Sequence, residues 1–203
     1  PTLQSSLEKS ITSGRLNVTE SITSLDCDVD VIIVTVGTPK SNENSIDYTQ
    51  LYSALKDICN LNLKDKAIIM RSTMGPNTTN DIVIPFLENG SKKKAGKDFA
   101  IIVCPERIVE GKAIDEIYKL PEIVGGINQV SNDIATELFK AINEKKDIMC
   151  TTPAGAELAK LFTNIYRYIS FALSNEFAIW AESYGLDATE IIKIANYNYP
   201  RCN

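Results

Sequence analysis

Val29-Asp30-Val31-Ile32-Ile33-Val34-Thr35-Val36-Gly37-Thr38-Pro39 decides the fold. A near-continuous β-branched run suits a strand buried on both faces of a parallel sheet. Gly37-Thr38-Pro39 ends it. Working outward, Ala67 to Met70, Phe99 to Val103, Ile123-Val124 and Asp147 to Cys150 read as further strands. Between them, Asp47 to Cys59 places Leu51, Leu55 and Ile58 on one helical stripe. A second helix, capped by Thr78 or Thr79, runs to about Leu87, and Asn132 to Asn143 forms a third. At the start, residues 2–13 read as a helix stopped by Gly14, followed by a short extended piece, Leu16 to Thr19. Gly90 to Gly96, with Lys92, Lys93 and Lys94, reads as a basic surface loop. The alternation of strand and helix with short loops predicts an α/β fold with a doubly wound, mainly parallel sheet.

After Cys150 no further strand is expected. Pro153 falls in the first turn of a helix, and the pattern then runs to Tyr184 with Leu158, Leu161, Phe162, Ile165, Ile169, Leu173, Phe177 and Trp180 near a 3.6-residue period. Gly185 ends it and Asp187 caps another helix. The reading is therefore two domains: a sheet domain over 1–150 and a helical domain over 151–203. A helix from 154 to 184 is about 45 Å long. That overhangs a sheet domain of this size, and its apolar residues go most of the way round, so it reads as a homodimer contact.

Composition narrows the chemistry. The chain has 203 residues, 44% apolar and 23% charged, enough apolar material for a core. No apolar run approaches the roughly 18 residues that span a bilayer. With 26 acidic and 21 basic residues the net charge is −5, which argues against a nucleic-acid binder. No histidine is present, so His-dependent nucleophile pairs and metal sites are excluded. The five cysteines include no CxxC pair. Their odd count, without a secretory signal, fits a reducing, cytoplasmic compartment. Cys27, Cys59, Cys104 and Cys150 read as buried or strand-end thiols. The ends, Pro1 without a methionine and Pro200-Arg201-Cys202-Asn203 without a stop signal, read as those of a fragment.

Four stretches carry candidate chemistry. Val36-Gly37-Thr38-Pro39 lies at a strand's carboxyl end, where open α/β sheets bind ligands; read alone, it is a weak signal and fits a plain turn better. Arg71-Ser72-Thr73-Met74-Gly75-Pro76-Asn77-Thr78-Thr79 offers four hydroxyls before a helix, suited to phosphate or bound water. Cys104 to Ala113 contains Glu106, Arg107, Ile108, Glu110 and Lys112. Glu106 there suits an acid, a base or an orienter of water, or else belongs to a surface ion-pair cluster. Finally, Ala156-Glu157-Leu158-Ala159-Lys160-Leu161-Phe162-Thr163-Asn164 sets Lys160 and Asn164 on one helix face, a clamp for an oxyanion. The stretch 158–165 is otherwise nearly apolar and is expected to be largely covered.

Together, and in this order, these motifs resemble those of the UDP-glucose/GDP-mannose dehydrogenase family: VGTP, STxxPGTT, a PE motif ending in EGxA, AExxKxxxN, an NE at Asn175-Glu176, and a PR at Pro200-Arg201. The resemblance runs from Val29 to Asn203. It implies a Rossmann-type NAD-binding domain followed by a helical central domain that dimerises through its long helix. It also implies oxidation of a nucleotide-sugar C6 alcohol to a carboxylate, in two NAD-dependent steps through a cysteine thioester. On that resemblance Thr73, Glu106, Lys160 and Asn164 are catalytic. Gly37, Thr38, Pro39, Ser72, Thr73 and Glu110 lie at the cofactor, and Glu106, Arg107, Ile108, Lys160, Asn164 and Arg201 at the substrate. No metal is implied. Arg107 after Glu106, where many members carry Phe, is more like the UDP-N-acetylhexosamine enzymes, with UDP-N-acetylmannosamine favoured.

The departures are specific. The family's GxGxxG turn and acidic ribose ligand are expected before Pro1. Its nucleophilic cysteine, in a glycine-rich loop, and its UDP-binding domain are expected beyond Asn203. Cys202 lacks that glycine-rich setting, and Asn77 replaces a usual Gly. The segment by itself is expected to be inactive. Two other readings stay open: a 3-hydroxyacid or 6-phosphogluconate-type dehydrogenase, and a non-catalytic dimerisation module.

Overall fold

The computed structural model describes residues 3–22, 29–43 and 45–199. Cys27, Pro200, Arg201 and Cys202 lie outside the described residues. The chain divides into two compact units, Pro1–Glu157 and Leu158–Asn203.

The first unit is built on five strands: β1 (Val31–Val34), β2 (Ala67–Met70), β3 (Ala100–Val103), β4 (Glu122–Gly126) and β5 (Ile148–Thr151). They lie side by side in chain order. β1, β2 and β3 are parallel, β4 is antiparallel to β3, and β5 is parallel to β4. Its helices are α1 (Leu3–Thr12), α2 (Thr49–Ile58), α3 (Ile84–Ser91), α4 (Ala113–Lys119) and α5 (Gln129–Ile142), with a π-helical turn over Thr79–Val83 leading into α3.

The sheet is the middle of three layers. Ile32, Val34, Ile68, Met70, Ile101 and Val103 pack with Leu51, Leu55 and Ile58 of α2 and with Val83 and Leu87. On the opposite face Ala67, Ile69, Ala100 and Ile102 meet Ala135 and Phe139 of α5. Strands with a core on both faces need apolar side chains at every position, which β2 and β3 have. β1 departs from this expectation. Ile32 and Val34 are buried, but Ile33 is 48% exposed, because no described element covers that face of the edge strand.

Other differences have local causes. Residues 16–19 form no strand and are exposed. α4 is not expected from the sequence: it is only seven residues long and none of them is buried. α3 runs through Ser91 into the lysine loop, where Lys92 takes the left-handed conformation (φ 59°) and Lys94 pairs with Glu88 at 2.6 Å. Neither Thr78 nor Thr79 caps the helix by its own side chain. Gly125 in β4 is required by packing, since a Cβ there would stand 2.6 Å from Thr152 O and 2.7 Å from Ala156 Cβ.

The second unit contains most of α6 (Pro153–Ser183) and all of α7 (Ala188–Asn196). Gly185 ends the long helix with φ 70°, and Asp187 caps α7 by accepting from the amides of Thr189 and Glu190. From Leu158 onward the large apolar residues of α6 are exposed, Phe162 at 64% and Trp180 at 65%, except for the half-buried Leu161. The expected covering of 158–165 is therefore not found among the described residues. Among the described residues no helix is long and apolar enough to cross a membrane.

Candidate functional site

The carboxyl ends of β1, β2 and β3 are stitched together through their first loop residues. The Ser72 hydroxyl donates to Val36 O at 2.6 Å, and the Thr38 hydroxyl donates to Thr73 O. The Gly37 amide donates to Gln50 Oε1 at 3.1 Å. Pro39 O accepts from the Asp47 amide at 2.8 Å. The third motif runs alongside: the Cys104 amide donates to Met70 O, and the Glu106 amide donates to Arg71 O. Gly37, Thr38, Ser72 and Thr73 are thus gathered at one edge of the sheet, with Glu106 tied to the residue just before Ser72.

The loop from Ser72 to Thr79 is held internally by a closed ring. The Gly75 amide donates to the Tyr48 hydroxyl, Tyr48 stands 2.7 Å from the Thr78 hydroxyl, and Thr78 donates to Gly75 O. Asn77 takes φ 64°, the left-handed backbone that favours glycine and that asparagine tolerates, so its replacement of a glycine preserves the turn. The Thr73 hydroxyl has no hydrogen-bond partner among the described residues.

In the third motif Glu106 Oε1 accepts from the Ile108 amide, and Arg107 Nη2 donates to Pro121 O. Glu106, Arg107 and Ile108 are half-buried; Glu110 is exposed beside Gly111, whose φ is 82°. Beneath them lies an ion cluster that sequence reasoning missed. Arg71 Nη1 stands 3.0 Å from Glu122 Oε1, and Lys146 Nζ stands 3.7 Å from Glu122 Oε2 while donating to Ile117 O at 2.7 Å. The Arg71 guanidinium also lies 5.3 Å from the centre of the Phe139 ring. Paired and hydrogen-bonded, these charges are tolerated where single ones would not be.

Glu157 was also passed over. Its Oε1 accepts from both the amide and the hydroxyl of Thr79, at 2.8 and 2.6 Å. Burial raises its carboxyl above the ordinary value and the Asp81 charge adds to this, while the Thr79 bonds and the Asn77 amide oppose it. The available signal was a carboxylate set among Ala156, Leu158 and Ala159. Tyr48 had none.

Cys104 is buried, and desolvation, aided by the Glu122 charge and opposed by Arg71, pushes its thiol far up. Burial raises Cys59 as well. Neither is an activated thiolate. Cys150 is exposed near the end of β5. Lys160 and Asn164 lie one turn apart on α6, Lys160 half-buried and Asn164 exposed, both in the second unit. Arg201 is outside the described residues.

Comparison with known proteins agrees with this geometry. Residues 1–143 match the NAD binding domain of the UDP-glucose/GDP-mannose dehydrogenase family, and residues 154–201 match its central domain. UDP-N-acetyl-D-mannosamine dehydrogenase of Pyrococcus horikoshii is 31% identical over 99% of the chain and 47% of its own length. The Methanocaldococcus jannaschii protein of the same name is 36% identical over 86% of the chain and 39% of its own. A ternary complex of GDP-mannose dehydrogenase from Pseudomonas aeruginosa superposes with a TM-score of 0.88 at 27% identity, covering 96% of the chain and 45% of that structure. The chain thus spans about half the length of the curated relatives it matches. With the sheet edge, the ordered motifs and both domain matches in agreement, the chain belongs to the UDP-glucose/GDP-mannose dehydrogenase family.

Proposed function

We propose that the protein containing this chain is an NAD-dependent nucleotide-sugar 6-dehydrogenase acting on a UDP-N-acetylhexosamine, UDP-N-acetylmannosamine above the others. The observation that carries this reading is the gathering of Gly37, Thr38, Ser72 and Thr73 at the carboxyl ends of β1 and β2, with Glu106 tied alongside. Ligands bind at such edges in open α/β sheets. The donor set fits a nicotinamide dinucleotide. Gly37 is exposed and brings no side chain, and Thr38 and Ser72 spend their protons on main-chain carbonyls, leaving oxygen lone pairs for the cofactor's hydroxyls or amide. When bound, NAD accepts the hydride. Gly37, Thr38, Pro39, Ser72, Thr73 and Glu110 would line its site.

The remaining roles follow from side-chain chemistry. The hydrogen bond from the Ile108 amide holds Glu106 by one oxygen and leaves the other for water, which the Thr73 hydroxyl would help to hold. Lys160 and Asn164, one helical turn apart, would stabilise the oxyanion that develops at the reacting carbon. Arg107 keeps guanidinium donors beyond the one given to Pro121 O. With Ile108 and Arg201 it would meet the sugar nucleotide, where an acetamido carbonyl suits a planar fork. The domain division 1–150 and 151–203, the homodimer through 154–184 and the inactivity of the 203-residue segment alone belong to the same reading.

The test is NADH formation by the intact protein with UDP-N-acetylmannosamine, UDP-N-acetylglucosamine, UDP-glucose and GDP-mannose. The expected result is the highest kcat/KM for an N-acetylhexosamine, and a fall in kcat of roughly 10²-fold or more for Lys160→Ala. A preference for UDP-glucose or GDP-mannose removes the substrate assignment. Near-normal turnover by the Lys160 variant removes the clamp.

A further inference from the structure

The Ser72–Thr79 loop enters its helix without a local cap. Thr78 has helical backbone, and its hydroxyl donates back to Gly75 O rather than forward. The Thr79 amide is taken instead by Glu157, 78 residues later, and the Thr79 hydroxyl donates to the same Oε1. Glu157 is 2% exposed, and its Oε2 has no hydrogen-bond partner among the described residues. The helix start is therefore held by a buried side chain far away in sequence and not by its own loop.

Of the hydroxyls on Ser72, Thr73, Thr78 and Thr79, three are bonded within the protein and one is not. The unbonded one is Thr73, so its direction depends on the loop backbone. That backbone is pinned at its start by the Ser72 and Thr38 bonds, in its middle by the Tyr48 ring, and at its end by Glu157, beside the local bond from the Asp81 amide to Asn77 O. Resting on the reading of this loop as part of a dehydrogenase site, we propose that Glu157 is a positioning residue. Its carboxyl anchors the loop to the first turns of α6 and thereby sets where the Thr73 hydroxyl stands.

Glu157→Ala and Glu157→Gln separate positioning from plain structural support. Glutamine keeps an acceptor oxygen for Thr79 and matches the shape of the neutral carboxyl; alanine removes the anchor. In Glu157→Ala the Thr79 amide is expected to exchange with solvent at least ~10-fold faster while strand amides hold. In the intact protein kcat is expected to fall roughly 10- to 10²-fold, as for a displaced site group, with both KM values within about 3-fold. Glu157→Gln is expected to restore exchange and kcat to within about 3-fold of the parent. Unchanged exchange in the alanine variant, unchanged kcat per folded molecule, or a glutamine variant as slow as alanine each overturns the proposal. The exchange arm needs no turnover. A parent protein inactive on every sugar nucleotide therefore rejects the function reading, while exchange still decides whether Glu157 holds the loop.

Discussion

β2 and β3 in the first unit and α6 in the second are similarly apolar, yet they end in opposite environments. Every residue of β2 and β3 is buried, whereas from Leu158 onward no residue of α6 is. The sheet strands are enclosed because α2 and α3 cover one face and α5 the other. Among the described residues of the second unit only α7 follows the long helix, and its own Ile191 and Ile194 are exposed too. Apolar periodicity states that a surface needs cover; it does not state what supplies it. In the first unit the chain folds onto itself. In the second, the described residues leave the apolar face of α6 exposed, and a homodimer is proposed there.

The sharpest way to break this contrast is to cut the same kind of side chain in both regions. Ile102, fully buried in β3, belongs to the core cluster that includes Ala135 and Phe139 of α5. Ile102→Ala is expected to cost about 2–5 kcal/mol, the lost transfer energy plus the cavity. Phe162→Ala, in the exposed stretch, is expected to change unfolding by less than about 0.5 kcal/mol at concentrations where the chain is monomeric. Urea midpoints of the two variants check this. A Phe162 cost comparable to that of Ile102 would mean that α6 is buried within the single chain, and the contrast would vanish.

A second measurement sharpens the contrast instead. If a second copy covers α6, the chain sediments as a dimer at micromolar concentration, and Trp180→Ser weakens the dimer by roughly 2 kcal/mol or more, about 30-fold in Kd, as loss of an aromatic anchor does. A parent chain that runs at 22.4 kDa at every concentration would remove the dimer and leave the helix face to a different partner.

The same division shows what could be read in advance. β2 and β3 were legible because burial on both faces forces continuous apolar runs. The stop at Gly14, the limits of α6 and the Asp187 cap were legible because each is local chemistry. The antiparallel placement of β4 was not, since two apolar residues before Gly125-Gly126 carry no direction. Nor was the tie from Thr79 to Glu157, or the cluster of Arg71, Glu122 and Lys146, because each joins residues whose neighbours in sequence say nothing of the partner. For the candidate site, the motifs that lie along the strand ends were legible. What holds them in place was not, because those bonds are made across the fold.

The smallest expected effect concerns that hidden tie, and its sign is determined. Burial, with the Asp81 charge adding, raises the Glu157 carboxyl above its ordinary value. Between its unfolded and folded values the folded state holds more protons than the unfolded one, so stability falls as pH rises through that window. Below about pH 4 both states are protonated and this penalty is absent. Glutamine at this position does not titrate, while every other carboxyl is shared by the two proteins. The Tm of Glu157→Gln minus that of the parent is therefore expected to become more positive as pH is raised from about 4 to 7. The change should be smaller than the Tm loss of Ile102→Ala. A difference that stays flat with pH would show that Glu157 titrates alike in both states. A difference that grows toward acid would mean that the bonds from Thr79 outweigh burial. Either result would mean that desolvation is not the dominant influence on the Glu157 carboxyl.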